Sequence, residues 1–537
     1  MANGIVRQQP RPDMRRMWAY PVAVITGFAL AMFAATYSFD YFMFNIGRVP
    51  ATSALGHFFA FDPGSITDAL PALGMTVVAV LGIILTVVAI IVQLSSDRYT
   101  GVAMMFMRDR VNIAVFTYFV IASIWAIWLS MSLQDGFVPR AALLVAMLAA
   151  GFGLAMMLPY FAYVFWFLEP GNIIQRIGHE AVENARRGSA AKSTDDAALL
   201  QERVLNSMEE ITDIANNSID GRDKIIASRA VDALRDLVLD YLSFKPPQPH
   251  PWFQIVGRIS DNPDFVAMDG ETMHELELRA LWVEWKALRQ YLGVYNEAIG
   301  SMQDINYLIA INTRYIGEAA AERSDRDLLD MVLRFMNSYL RSAINARATR
   351  TAYNVLHQYR MLIESLLKLG QAEAAYGGVA YLKYYGHVSF DENLTFVTET
   401  IAYDLAALCE FAHDLGAPQE DRMLKQFLEL DRPTRGHRQE RGLRGVRKAQ
   451  AKLAAYYLSI GEEPKARLIA QDMLAEPADL LHSIRDELER VEAKHFWENV
   501  DRGRNFEYLP PAHRAQLGKF FSWLDAAPPP RRRATDR

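Results

Sequence analysis

The sequence predicts an all-α protein: a bundle of four transmembrane helices followed by a cytosolic α-helical domain with solenoid-like helical hairpins. Three observations carry that prediction. Four stretches, residues 17–39, 69–96, 111–134 and 141–168, contain no Asp, Glu, Lys or Arg. Charge is divided unevenly along the 537 residues: up to Leu168 there are 9 Arg, no Lys and 7 acidic residues, which leaves 47 basic and 55 acidic residues for the rest. Finally, glycines recur at nearly constant spacing between helical patterns late in the chain.

Each uncharged run exceeds the roughly 20 helical residues, at 1.5 Å each, that cross a hydrocarbon core about 30 Å thick. Arginines group on alternate sides of the runs. Arg7, Arg11, Arg15 and Arg16 precede the first, Arg98, Arg108 and Arg110 lie between the second and third, and Arg176, Arg186 and Arg187 follow the fourth. The remaining loops hold only Arg48 and Arg140. Basic residues are retained on the cytosolic side, so both termini are expected there. No ionisable residue lies inside the runs, which argues against a proton-coupled or sodium-coupled carrier.

Small residues repeat every four positions in the first run, as Ala23, Gly27, Ala31 and Ala35, and in the fourth, as Ala142, Ala146 and Ala150. This spacing lets helix backbones approach closely in lipid, either within one bundle or between copies of the chain.

The loop between the second and third runs has an apolar, Met-rich centre bracketed by charges. It is expected to lie along the cytosolic interface, with Met and Phe106 dipping into lipid and Arg98, Arg108 and Arg110 at headgroup level. Its Ser95-Ser96 start, Phe106 and the closing Arg108-Asp109-Arg110 resemble the corresponding loop of a bacterial predicted-membrane-protein family, domain of unknown function 2254. The exit from the fourth run, Leu168-Glu169-Pro170 followed by Arg176, is similar too. Two features depart from that family: its Gln-Phe-Ser-Pro-Arg stretch is replaced by residues 97–101, and its Asn-Asp-Pro turn is only echoed by Ile219-Asp220-Gly221. The resemblance covers roughly residues 15–240. It implies a multi-pass protein of the bacterial inner membrane and no particular reaction.

Beyond the membrane region the expected organisation is a juxtamembrane helical segment over residues 169–244 and a stiff, Pro-rich linker over 245–251 that marks a boundary. A helical-repeat domain over 252–524 and a disordered basic tail over 525–537 follow; a cytosolic tail over 1–16 opens the chain, and 17–168 form the membrane domain. In the repeat domain Gly370, Gly416 and Gly461 lie 46 and 45 residues apart. Leu362, Leu408 and Leu453 stand eight positions before them, and Leu366, Ala412 and Tyr457 four before. Glycine there permits a left-handed turn at the end of one helix, while the apolar rows pack on the next. The last unit, with Leu453, Ala454, Tyr457, Gly461 and Ala466, resembles a tetratricopeptide repeat.

Stacked hairpins of this kind offer a groove to a protein segment. Lys448, Lys452, Lys465 and Arg467 form either a basic part of that groove or a solvated face. The Glu-x-x-His pairs Glu271/His274, Glu410/His413 and Glu492/His495 place carboxylate and imidazole on one helix face; they are read as surface pairs, with a metal site beside Cys409 as the alternative. No catalytic or nucleotide-binding motif occurs, and no cofactor or enzymatic activity is expected. One cysteine excludes an intramolecular disulfide, and a net charge of -6 without a basic domain argues against nucleic acid. The expected partners are membrane lipids, a protein on the cytosolic domain and further copies of the chain. The expected function is that of a membrane-anchored scaffold or sensor, with an oligomeric ion channel gated by its cytosolic domain as the alternative.

Overall fold

The computed structural model describes residues 20–44, 63–96, 102–131, 140–431, 437–495, 502–503 and 505–526. The described residues form helices joined by turns, with no strand among them. The chain divides into two units, Met1–Gln175 and Arg176–Arg537.

The first unit contains α1 (Tyr20–Phe44), α2 (Pro63–Ser96), α3 (Val102–Arg108), α4 (Arg110–Met131) and α5 (Arg140–Leu168). Helices α2, α4 and α5 pack on one another, α1 lies along α5, and α3 touches α2 and α4. Ile66, Leu70, Leu129, Leu143 and Ala146 form a core between three of them. The outward side chains are as apolar as the inward ones: Ile83, Ile90, Ile121, Trp128, Leu158 and Phe165 are all exposed. Apolar surface of that extent is stable in hydrocarbon and costly in water. Helical hydroxyls bond within their own helix, Thr76 to the Ala72 carbonyl and Thr86 to the Gly82 carbonyl, each at 2.8 Å, as lipid requires.

Among the described residues three helices are long and apolar enough to cross a membrane, where the sequence predicts four. They are Ala69–Gln93, Arg110–Met131 and Ala141–Leu168, with mean hydropathies of 3.0, 2.0 and 2.3. In α1 the apolar stretch among the described residues is Val22–Met32; residues 17–19 of the expected first span lie outside the described residues. The two small-residue rows also part company. On α5, Ala146 and Ala150 are buried and Ala142 packs on the core. On α1, Ala23, Gly27, Ala31 and Ala35 are exposed, so among the described residues this row is left open.

In the second unit, α6 (Pro170–Gly188), which begins before the division, is followed by the antiparallel pair α7 (Thr194–Asp220) and α8 (Lys224–Leu242). Ser193 and Asp223 cap these two helices, each accepting a backbone N–H three residues on. After the short helices α9 (Pro263–Val266) and α10 (Gly270–Leu278) come α11 (Trp282–Ala298), α12 (Gln303–Glu322), α13 (Arg326–Asn345), α14 (Thr349–Lys368), α15 (Ala372–Asp391), α16 (Thr395–Asp414), α17 (Glu420–Leu428), α18 (His437–Ser459), α19 (Glu463–Met473), α20 (Ala478–Arg490) and α21 (Pro511–Asp525). They pack in two rows. One runs α8, α12, α14, α16, α18, α21, each helix against the next; the other runs α11, α13, α15, α17. Consecutive helices tie the rows together, so every amphipathic helix finds a partner for its apolar stripe.

The Pro-rich stretch 245–251 is not the boundary expected of it. It lies within the second unit, where Lys245 pairs with the fully buried Glu284 at 2.7 Å and Gln248 donates to the Glu277 carbonyl at 2.6 Å. Directly after it, Trp252 is wholly buried, with its carbonyl accepting from Gln201 and Trp282, both at 2.8 Å. Its ring occupies the space a side chain on Gly188 would need. Proline stiffens a chain segment but does not keep its neighbours out of a core, and the aromatic that follows decides the packing.

Candidate binding groove

Helices α14, α16 and α18 present polar and aromatic side chains along one face of their row. Tyr353 and Arg360 are two turns apart on α14, Tyr403, Asp404 and Glu410 span two turns of α16, and Lys448 and Lys452 are one turn apart on α18. Arg360, Tyr403, Asp404, Glu410 and Lys452 line a cavity of about 780 Å³, together with His357, Phe411 and His513.

Part of the connection between α20 and α21 lies in this groove. Arg502 donates to Asp404 Oδ1 at 2.7 Å and to the Tyr353 carbonyl at 2.6 Å, and its guanidinium sits 4.2 Å over the Tyr353 ring. Phe506 stacks on Tyr403 with centroids 5.1 Å apart and planes 9° from parallel. Glu507 pairs with Lys448 at 2.5 Å, and Lys452 donates to the Phe506 carbonyl. Asp404 is 2% exposed and Arg502 3%, so this is an ion pair out of water, held by hydrogen bonds and stacking. Arg360 shares the same Asp404 oxygen at 3.2 Å, so Asp404 keeps a cation when Arg502 is removed, whereas removing Asp404 leaves the buried Arg502 without its acid, a loss that typically costs about 3–5 kcal/mol.

The groove also perturbs its titratable groups. Burial pushes the Glu410 carboxyl well above the usual range, with Asp414 adding to the rise and Lys452 opposing it. Burial pushes the Lys452 ammonium down, against the pull of Glu410 and Glu507. His513 is lowered by burial and by Lys452.

Of the basic residues singled out in the sequence, Lys448, Lys452 and Lys465 are largely buried and form no free basic groove, while Arg467 lies on the solvated face. Lys448 is paired with Glu487 and Glu507, Lys465 with Glu420, and Arg467 with Glu463 while lying over Trp523. The acids that neutralise Lys448 and Lys465 are distant in sequence, which helical periodicity cannot reveal, whereas the Arg467–Glu463 pair lies one turn apart on a single helix. The Glu-x-x-His imidazoles likewise find other partners: His274 contacts Glu277, His413 contacts Glu420, and His495 meets the Gly503 carbonyl. Among the described residues no three His, Cys, Asp or Glu side chains gather as metal ligands, and the Cys409 thiol is buried with its pKa raised by burial.

Gly370, Gly416 and Gly461 sit just past α14, α16 and α18 with φ of +74°, +64° and +88°. Leu362, Leu408, Leu453, Leu366, Ala412 and Tyr457 are all fully buried.

In the first unit, Phe106 is buried edge-on against Phe167, 5.5 Å away, instead of dipping into lipid; Met104 and Met107 are exposed. Asp109 caps α4 through the Val111 and Asn112 amides and accepts from Tyr163. The buried Asn112 donates to the Phe106 carbonyl and accepts from Tyr160. Arg108 and Arg110 are exposed, and Arg98 lies outside the described residues.

Sequence reasoning missed Tyr353, Tyr403, Asp404, Arg502, Phe506 and Glu507. A signal was present: the 20 residues 491–510, followed by the Pro511 that opens α21, separate two helices, and so long a connection inside a compact domain is usually functional.

No curated protein and no solved structure matches the chain. Residues 14–218 match the model of the family described as Predicted membrane protein (DUF2254), which takes in the apolar helices and α6 and α7 and stops short of the groove.

Proposed function

We propose that the chain is an integral protein of the bacterial inner membrane that tethers a helical-repeat domain in the cytosol for binding a protein partner. The observation that carries the reading is the groove on α14, α16 and α18, whose buried charges and aromatic rings suit an extended peptide. The glycine turns and the two rows of helices support a solenoid of tetratricopeptide-like hairpins. The apolar outward side chains and the family match support the membrane anchor. Purification of the full chain from native membranes in mild detergent, with mass determination of the complex, is the test. A stoichiometric protein partner is expected; recovery of the chain alone counts against a scaffold. Resistance to alkaline carbonate and a C-terminal tag reachable only from the cytosolic side test the topology.

The second reading is an oligomeric channel gated through the cytosolic domain. The exposed row of Ala23, Gly27, Ala31 and Ala35 on α1 favours it, because close-packing small residues facing outward suit a second copy. Reconstituted bilayers without conductance under voltage or tension would remove it.

A further inference from the structure

The segment that enters the groove sits there as a ligand sits in a site. Its described residues form no helix, and they are held by three side chains and one carbonyl. Gly503, at φ +61°, turns the chain between Arg502 and the rest, and Asn505 accepts from the Glu507 amide to set the second turn. The connection runs for 20 residues between α20 and α21, whereas neighbouring helices are joined by about 2–8. Those two helices already pack on each other and on α18, and α19 packs on α21. The seat of α21 is therefore secured without the segment.

The fit is also incomplete. In the groove the Tyr403 hydroxyl and Asp404 Oδ2 are buried without a hydrogen-bond partner, and about 780 Å³ stays open beside them. Buried polar atoms left unmet are costly, so an occupant that reaches them binds better than the resident one.

We propose that the groove of α14, α16 and α18 is a peptide site occupied in cis by Arg502, Phe506 and Glu507, and that a protein partner enters by presenting the same chemistry and expelling them. That chemistry is an arginine followed four residues later by an aromatic and then an acid. Arginine is specified because the site uses both its fork of donors, on Asp404 and the Tyr353 carbonyl, and its planar face, on the Tyr353 ring. The aromatic is specified by the flat face of Tyr403 and the acid by Lys448. This inference rests on reading the domain as protein-binding and names what it binds.

The test uses the full chain in detergent and a fluorescent synthetic peptide of residues 500–510. Wild type holds its own segment in the groove and binds the peptide weakly. The Arg502→Ala/Phe506→Ala/Glu507→Ala chain is expected to bind it at least about tenfold more tightly, because the tethered competitor is gone. Adding Asp404→Asn to that chain should abolish the gain, and a scrambled peptide should show none. Where the triple variant loses its helical circular dichroism, Arg502→Gln/Glu507→Gln, which keeps the Phe506 stack, takes its place. A folded, released chain that binds the peptide no better than wild type overturns the proposal. Such a chain that still co-purifies a partner leaves the scaffold reading standing; peptide binding without any partner from native membranes overturns that reading and supports the cis site.

Discussion

The hydroxyl of Tyr163 on α5 donates a 2.7 Å hydrogen bond to Oδ1 of Asp109, the same oxygen that receives the Val111 and Asn112 amides at 3.0 and 3.3 Å. One carboxylate thus caps α4 and ties it to α5. The Arg108-Asp109-Arg110 motif has its central residue turned inward for packing and its flanking residues outward.

Asp109→Ala removes both the cap and the tie and is expected to destabilise the first unit by about 1–2 kcal/mol. Tyr163→Phe removes the tie alone and should cost about 1 kcal/mol. Unfolding of the detergent-solubilised chain, followed by circular dichroism, checks the order of the two; equal stability of Asp109→Ala and wild type would contradict it.

Lys286 is fully buried and bonds Glu209 and Asp264, both at 2.7 Å, and the Asn262 side chain at 3.1 Å. Burial alone would raise the Asp264 carboxyl, yet Lys286 and Arg289 together hold it below the usual range. Lys286→Met leaves those acids without their shared cation and should cost about 3 kcal/mol or more. Lys224→Ala breaks an exposed pair with Asp304 and should change stability by less than about 1 kcal/mol. Chemical denaturation of both variants measures the contrast.

Burial raises the Glu210 carboxyl, and the like charges of Glu180 and Asp213 raise it further. The folded state therefore keeps a proton that the unfolded chain releases, and wild type loses stability as pH rises from the ordinary carboxylate range through the raised value. In Glu210→Gln that loss is absent. The melting temperature of Glu210→Gln minus that of wild type is expected to grow with pH across that window and then level off; a difference independent of pH would count against the buried, repelled carboxylate.

Two glycine substitutions should act with opposite sign. A Cβ on Gly461 would meet nothing within 4 Å, but its φ of +88° strains any other residue, so Gly461→Ala is expected to cost about 1 kcal/mol. Gly293 lies in the exposed part of α11 without positive φ and with the same open surroundings, so Gly293→Ala should stabilise by about 0.5–1 kcal/mol. Thermal melts of the two variants against wild type decide it.

Much of the architecture is legible in the order of the amino acids, for local reasons. An uncharged run of more than about 20 residues must avoid water wherever the rest of the chain goes, and a glycine after an apolar row ends a helix by its own backbone freedom. The small-residue row of the first expected span is the exception: its spacing points to close helix packing, while among the described residues the row is exposed.

The groove is not legible in that way, because its parts are far apart in sequence. Arg502 meets Asp404 and Tyr353 at separations of 98 and 149 residues, and Lys448 meets Glu507 at 59. Periodicity assigns Lys448 a helix face but not the acid opposite it, and the proline run 245–251 announces stiffness without saying that Trp252 beyond it is buried. By itself the sequence determined which segments are helical and which of them prefer hydrocarbon, since these depend on neighbours one or two turns away. Only the tertiary structure decided which charges are paired, which small-residue row is left open and which segment fills the groove, since these depend on side chains that folding alone brings together.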